Sequence, residues 1–106
     1  MKLLLDENLP HQLRHVLIDH DCYTVTYMKW TGLKNGSLLA QASAEGFDAM
    51  LTMDSGIEHE QNLSVLPIAI VAIKAKSNDL DDLLPLIPAI IRALNSLAPN
   101  RVTRVP

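Results

Sequence analysis

The sequence is poor in cysteine, aromatic residues and glycine: its 106 residues include one Cys, one Trp, one Phe, two Tyr and four Gly. Because Cys22 has no second cysteine to pair with, no internal disulfide can stabilise the fold. Apolar residues make up 48% of the chain, so the core must be built mainly from aliphatic side chains. A chain of this length can bury such a core as one domain, residues 1–106, without a structural metal.

The chain also lacks an excess of positive charge and a long uninterrupted hydrophobic run. Its formal net charge of −3 argues against a protein that coats itself in nucleic acid, but it is compatible with an enzyme that contacts a few phosphates. The most apolar stretches, VLPIAIVAI and LLPLIPAIIRAL, are too short or too interrupted to span a bilayer. No signal-type segment opens the sequence, which therefore predicts a cytoplasmic protein without membrane contact.

Short apolar runs alternate with helical stripes along the chain. Strands are expected at 2–5, 21–28, 47–52 and 67–73, and RVTRV at 101–105 suits a last edge strand. Helices are expected over 9–17, over 37–46 and from 77 onward with a break near Pro85, and a short helical piece is expected at 56–64. This alternation predicts an α/β fold with right-handed crossovers, a mostly parallel sheet of four to five strands and helices on both faces.

Carboxylates follow two of the predicted strands. Asp6 and Glu7 come directly after the first strand, and Asp54 comes just after the third. Ligands of such sheets bind beyond the carboxyl ends of the strands, where oxygen ligands suit Mg²⁺ or Mn²⁺. Asp6 and Asp54 are therefore predicted to hold the metal, while Glu7 should point away from Asp6. The competing interpretation is that each aspartate only caps the helix that follows it.

Other reactive side chains give weaker patterns. His11 and His15 are four residues apart, a spacing that can bind zinc, but the residues between them provide no glutamate base. A solvated helix face is the simpler interpretation for both. Cys22 has no obvious histidine partner and is expected to be a small buried residue.

Several motifs together resemble a known family. LLLDENLP, GLKNGSLLAQA and DAMLTMDSGIEHEQN, followed by LPIAIVAI and DLLPLIPAII, are similar to the small bacterial PIN-like proteins related to PIN-domain toxin ribonucleases. The resemblance implies a PIN-like three-layer α/β/α sandwich, an acidic Mg²⁺ or Mn²⁺ site and cleavage of RNA, often by the toxin of a toxin–antitoxin pair.

The resemblance also implies roles for individual residues. Asp6, Glu7 and Asp54 are the expected catalytic residues, and Asp6 and Asp54 hold the metal. Apart from the resemblance, Lys29 and Lys34 are expected to contact phosphate as local basic residues. The other residues expected on the substrate side are Asn8, Asn35, Ser37 and Ser55.

One position departs from the family pattern. Ser37 stands at the start of the second predicted helix, where related sequences carry a glutamate. A neutral hydroxyl is a weaker ligand than a carboxylate, so the metal should bind less tightly. Glu45 should point elsewhere, whereas Glu58 or Glu60 could reach the site from the loop after Asp54.

Three functions remain open from the sequence. The first is a metal-dependent endoribonuclease that acts on RNA and is blocked by an antitoxin protein. The second is a catalytically silent binding module, as Ser37 suggests. The third is a receiver-like domain phosphorylated on Asp54. Two features argue against it: a βα unit is missing, and the fourth strand ends in Ala72 and Ile73 rather than in Ser or Thr. The aliphatic stripe of the C-terminal helices fits either a homodimer contact or the core face of the domain.

Overall fold

Five short strands form one all-parallel sheet. The computed structural model describes residues 1–57 and 66–105. The predicted helical piece at 56–64 lies almost entirely outside the described residues, as do Glu58, His59 and Glu60. The strands are β1 (Lys2–Leu5), β2 (Asp21–Thr24), β3 (Ala49–Thr52), β4 (Ala69–Ile73) and β5 (Val102–Val105), in the order β2-β1-β3-β4-β5.

Helices cover both faces of this sheet. In the described ranges they are a 3-10 helix (His11–His15), α1 (Asn35–Ala44), α2 (Leu80–Leu83), a second 3-10 helix (Leu84–Leu86) and α3 (Ile87–Asn95). Alternation along each strand sends successive side chains to opposite faces. One face packs on the first 3-10 helix, α2 and α3 through Leu3, Leu5, Leu51, Val71, Leu13, Leu83, Ile90 and Leu94. The other packs on α1 through Leu4, Met50, Ile70, Leu38, Leu39 and Ala42. The predicted three-layer α/β/α arrangement is confirmed.

Two elements near the N-terminus are shorter than the sequence pattern predicts. The helix expected over 9–17 is a 3-10 helix of five residues, although Leu9, Leu13 and Leu17 are buried as the stripe requires. A stripe of apolar residues determines which side chains are buried, but it does not distinguish the two helical hydrogen-bond patterns. The second strand ends at Thr24 because the Met28 amide donates to the Thr24 carbonyl and turns the chain.

The C-terminal part of the chain follows its predicted pattern closely. The helix breaks at Pro85, which has no N–H to continue the hydrogen-bond ladder, and RVTRV supplies the parallel edge strand β5. Most of the aliphatic stripe is core, while Leu84 and Ile91 stay partly exposed. A homodimer through this stripe stays a prediction. Within the described ranges, no helix is both long and apolar enough to cross a membrane.

The strand order creates a crevice at one edge of the sheet. From the neighbouring strands β1 and β3, the sheet grows in opposite directions, toward β2 on one side and β4 on the other. The loops that leave the carboxyl ends of β1 and β3 therefore separate, and ligands of doubly wound sheets bind in the space between them. Asp6 and Asp54 belong to these two loops.

Gly46 ends α1 in a left-handed conformation, with φ of +81°, and an added Cβ would meet nothing within 4 Å. Gly46→Ala should therefore destabilise the fold by about 1 kcal/mol through backbone strain alone. Urea unfolding measures the difference. Gly46→Asn should lose less, because asparagine tolerates this conformation better than alanine; equal losses would contradict the assignment of the cost to φ.

Candidate functional site

The register of the sheet brings Asp6 next to the end of β3. Leu5 pairs with Leu51, and the Asp6 amide donates to the Leu51 carbonyl at 3.0 Å, so the ladder continues one residue beyond β1. Asp6 therefore lies beside Thr52, the last residue of β3. The pairing of β1 with β3 thus brings the two acidic loops together at one edge of the sheet.

The hydroxyl of Thr52 joins the two loops. It donates to Asp6 Oδ2 at 2.7 Å and accepts from the Asp54 amide at 3.0 Å and from Asn8 Nδ2 at 3.2 Å. Thr52 is fully buried and is the one buried polar side chain among the described residues. A hydroxyl can donate once and accept twice, so this oxygen uses its full hydrogen-bonding capacity here.

Each carboxylate oxygen of the two aspartates has a donor from the protein. The Glu7 amide donates to Asp6 Oδ1 at 2.8 Å, opposite the bond from Thr52 to Oδ2. Asp54 Oδ1 accepts from the Gly56 amide at 2.9 Å, and its Oδ2 accepts from Asn35 Nδ2 at 3.0 Å. These donors fix the orientation of both carboxylates.

Two asparagines complete the arrangement. Asn8 spans the gap between the loops, because its Oδ1 accepts from the Met53 amide at 3.0 Å while its Nδ2 donates to Thr52. Asn35 is the first residue of α1, so its bond to Asp54 places that carboxylate at the positive end of the helix dipole. The N-terminus of α1 thus offsets part of the negative charge of the site.

The donor set fits a hard divalent cation of modest affinity. Each carboxylate oxygen that accepts one hydrogen bond keeps a further lone pair for a metal. Mg²⁺ commonly uses one or two protein carboxylates and completes its shell with water and substrate phosphate. The described residues hold no group of three or more His, Cys, Asp and Glu side chains arranged for a metal. Asp6 and Asp54 are the two carboxylates of the crevice that could hold one.

Two clefts adjoin the aspartates along the same edge of the sheet. The β3–β5 cleft, of about 690 Å³, is lined by residues 53–55, residues 72–75, Arg104 and Val105. The β1–β2 cleft, of about 470 Å³, lies on the other side and is lined by residues 6–7, 9–11, 24–27 and Arg14. Asp54 belongs to the first cleft and Asp6 to the second, so the acidic pair stands between them.

The other predicted site residues are placed unevenly. Ser55 lines the β3–β5 cleft, and Glu7 lines the β1–β2 cleft with its side chain exposed. Lys29 and Lys34 are exposed and line neither cleft. Ser37 is exposed too, whereas Asn35 shares a helix face with the buried residues Leu38, Leu39 and Ala42. Asn35, not Ser37, therefore points at Asp54.

Sequence reasoning missed Thr52 and underrated Arg104. A polar residue that ends a buried strand two positions before Asp54 was the available signal for Thr52. Its partner at the end of β1, Asp6, follows only from the register of the sheet.

The Cys22 thiol is not an activated nucleophile. Burial, together with the negative charge of Asp21, raises the pKa of this thiol, which keeps it protonated near neutral pH.

No protein-family model matches the chain, and neither a curated protein nor a solved structure shows significant similarity to it. The function is therefore inferred from the chemistry of the site.

Replacing Thr52 tests whether its hydroxyl holds the site together. Thr52→Val keeps the shape of the side chain but leaves the Asp54 amide, the Asn8 amide group and Asp6 Oδ2 without their common partner. We expect a loss of about 1–3 kcal/mol in the free energy of unfolding, measured with urea. Thr52→Ser keeps the hydroxyl and should retain most of the stability; an equal loss in both variants would assign the effect to packing of the methyl group.

Proposed function

We propose that the protein is a metal-dependent endoribonuclease of PIN-like type. The observation that supports this most directly is the placement of Asp6 and Asp54 at the β1/β3 crevice, where the Thr52 hydroxyl links their loops. The simpler interpretation, in which each aspartate only caps its own loop, explains the bonds from Glu7 and Gly56 but not the contacts between loops. The resemblance of the sequence to PIN-like proteins points to the same chemistry.

Asp6 and Asp54 are the proposed ligands of Mg²⁺ or Mn²⁺. When bound, such an ion lowers the pKa of its water and offsets the charge that builds up on a phosphodiester during hydrolysis. Thr52 and Asn35 orient the carboxylates for this task. Two carboxylates leave room for the phosphate of the substrate as a further ligand, so metal and RNA should strengthen each other's binding.

The biological setting is part of the same proposal. A toxin whose activity an antitoxin protein blocks would present its acidic crevice to that partner, and the exposed edge between the two clefts is accessible for such a contact. A single half-buried cysteine suits a reducing compartment, which supports a cytoplasmic location.

The strand order supports one second candidate, a receiver-like domain phosphorylated on Asp54. The five strands follow the order 2-1-3-4-5, one of the two common doubly wound arrangements, so a fifth strand is present, although no helix follows it among the described residues. β4 still ends in Ala72 and Ile73 rather than in Ser or Thr. Labelling of Asp54 by a small-molecule phosphodonor would favour this candidate over the nuclease.

The nuclease proposal predicts cleavage of single-stranded or structured RNA in Mn²⁺ or Mg²⁺ and none in chelator. Asp54→Asn and Asp6→Asn should each reduce cleavage by at least about 100-fold, because an amide is a weaker, uncharged ligand. Asp48→Asn is the matched control, since Asp48 precedes β3 while Asp54 follows it. Metal-dependent cleavage that survives in Asp54→Asn would remove Asp54 from the mechanism; no cleavage by the unmodified protein would favour the silent binding module.

Asn35→Asp should convert the two-carboxylate site into a three-carboxylate site. The variant loses the donor to Asp54 Oδ2 and adds a like charge, so the metal-free protein should melt at a lower temperature. Added Mn²⁺ should restore the melting temperature and bind about tenfold more tightly than to the unmodified protein, as measured by calorimetry. Ser37→Glu, on the exposed side of the same helical turn, should change Mn²⁺ affinity less; the reverse ranking would show that Ser37 faces the metal.

A further inference from the structure

One row of side chains crosses the sheet from the acidic pair to a cation. Asp6 bonds to Thr52, Thr52 pairs with Ala72 on β4, and Ala72 pairs with Arg104 on β5. Residues paired in this way project to the same face of a parallel sheet. Val102, two residues before Arg104, packs on the α1 face, which places Arg104 on that face as well.

A small side chain separates the acid from the cation in this row. Among the described residues, Ala72 is the one member of the row between Thr52 and Arg104; its side chain is a single methyl group, and it lines the β3–β5 cleft together with Arg104. Lys74 follows directly after β4, and its amide donates to the Val105 carbonyl at 2.8 Å, which holds the chain beside β5. Lys74 and Arg104 thus supply two exposed cations to the β3–β5 cleft, on the side away from Asp6.

The β1–β2 cleft offers related chemistry on the opposite side of the acidic pair. His11 and Arg14, from the first 3-10 helix, and Tyr27, from the turn after β2, line it. The Tyr27 side chain is 66% exposed, so one face of an aromatic ring is accessible to a ligand. The Arg14 guanidinium and an accessible aromatic ring in one groove are elements of single-stranded nucleic acid binding.

We infer that a single strand of RNA crosses the carboxyl edge of the sheet from the β1–β2 cleft to the β3–β5 cleft, with Lys74 and Arg104 binding backbone phosphate beyond Asp54. This inference rests on the proposed nuclease function and names the substrate path of the same site. Four strand spacings of about 4.8 Å give a path of about 19 Å across the two aspartates.

The composition of the β3–β5 cleft favours an unpaired strand over a duplex. Met53, Ala72 and Ala75, which are all partly exposed, provide apolar surface next to the two cations. Such a surface can accept the face of a base only when that base is not stacked inside a helix. Arg104 also contacts the protein, but a guanidinium has five donors and can hold a phosphate without giving up that contact.

The test measures binding of a fluorescent 12-nucleotide single-stranded RNA in chelator, so that no cleavage intervenes. Lys74→Ala and Arg104→Ala should each weaken binding roughly fivefold and lower the slope of log affinity against log salt by about 0.7, one phosphate contact each. Arg101→Ala is the matched control: it removes the same charge at the opposite end of β5, from an equally exposed residue. It should change neither quantity. Arg104→Lys keeps a point charge and should retain most of the binding if phosphate is the partner.

The outcomes separate this inference from the proposed function. Equal weakening by Arg101→Ala and Arg104→Ala would assign binding to overall charge and overturn the path, as would RNA that does not bind the unmodified protein. Cleavage in Mn²⁺ is measured in a separate experiment. If Lys74→Ala and Arg104→Ala cleave RNA as fast as the unmodified protein, the proposed path is wrong but the nuclease proposal stands. If RNA binding depends on Lys74 and Arg104 but no cleavage occurs, the nuclease proposal is wrong but the path stands. Thermal melting of each variant confirms that it is folded.

Discussion

The Thr52 hydroxyl is the contact on which the candidate site depends. It is the only described side chain that bonds to both acidic loops, and it is buried where water cannot replace it. A buried hydroxyl with three partners loses all three contacts together when it is removed, which makes the arrangement cooperative. The pairing of β1 with β3 therefore positions the two acidic loops, while the Gly56 amide and Asn35 orient the Asp54 carboxylate.

This arrangement explains how two acids can lie in one crevice before any cation arrives. Like charges repel, and the usual remedies are a bound cation, protonation or hydrogen bonds to the charged form. Here the third remedy is visible, since Asn35, Thr52 and two backbone amides each donate to a carboxylate oxygen. A site preorganised in this way has a low cost of reorganisation when it binds metal and phosphate. The free-energy cost arises during folding instead, when the Thr52 hydroxyl is removed from water.

The sequence predicted the layout of the fold better than the details of the site. Apolar and β-branched runs located all five strands, and the proline at position 85 located the helix break, because both signals are local. Asp6 and Asp54 were predicted as site residues from an equally local signal, as acids that follow strands. The contacts of Thr52 and the position of Arg104 were not predicted, because they depend on which residues pair across strands separated by tens of residues. Lys29 and Lys34 were expected to contact phosphate as local basic residues, but they line neither cleft.

The aspartates at the two ends of β3 have different partners. Asp48, before the strand, exchanges hydrogen bonds with the Lys2 backbone, while the Lys2 ammonium bonds to the Glu45 carbonyl and lies 4.5 Å from the Phe47 ring centre. The charged side chains of Lys2 and Asp48 are thus bound to other groups of the protein at this edge of the sheet. Asp54, after the strand, faces a crevice, a helix N-terminus and a cleft with two cations. Asp48 therefore helps to hold β1 and β3 together, whereas Asp54 lines a cleft. The net charge of −3 counts both carboxylates equally and does not distinguish these two environments.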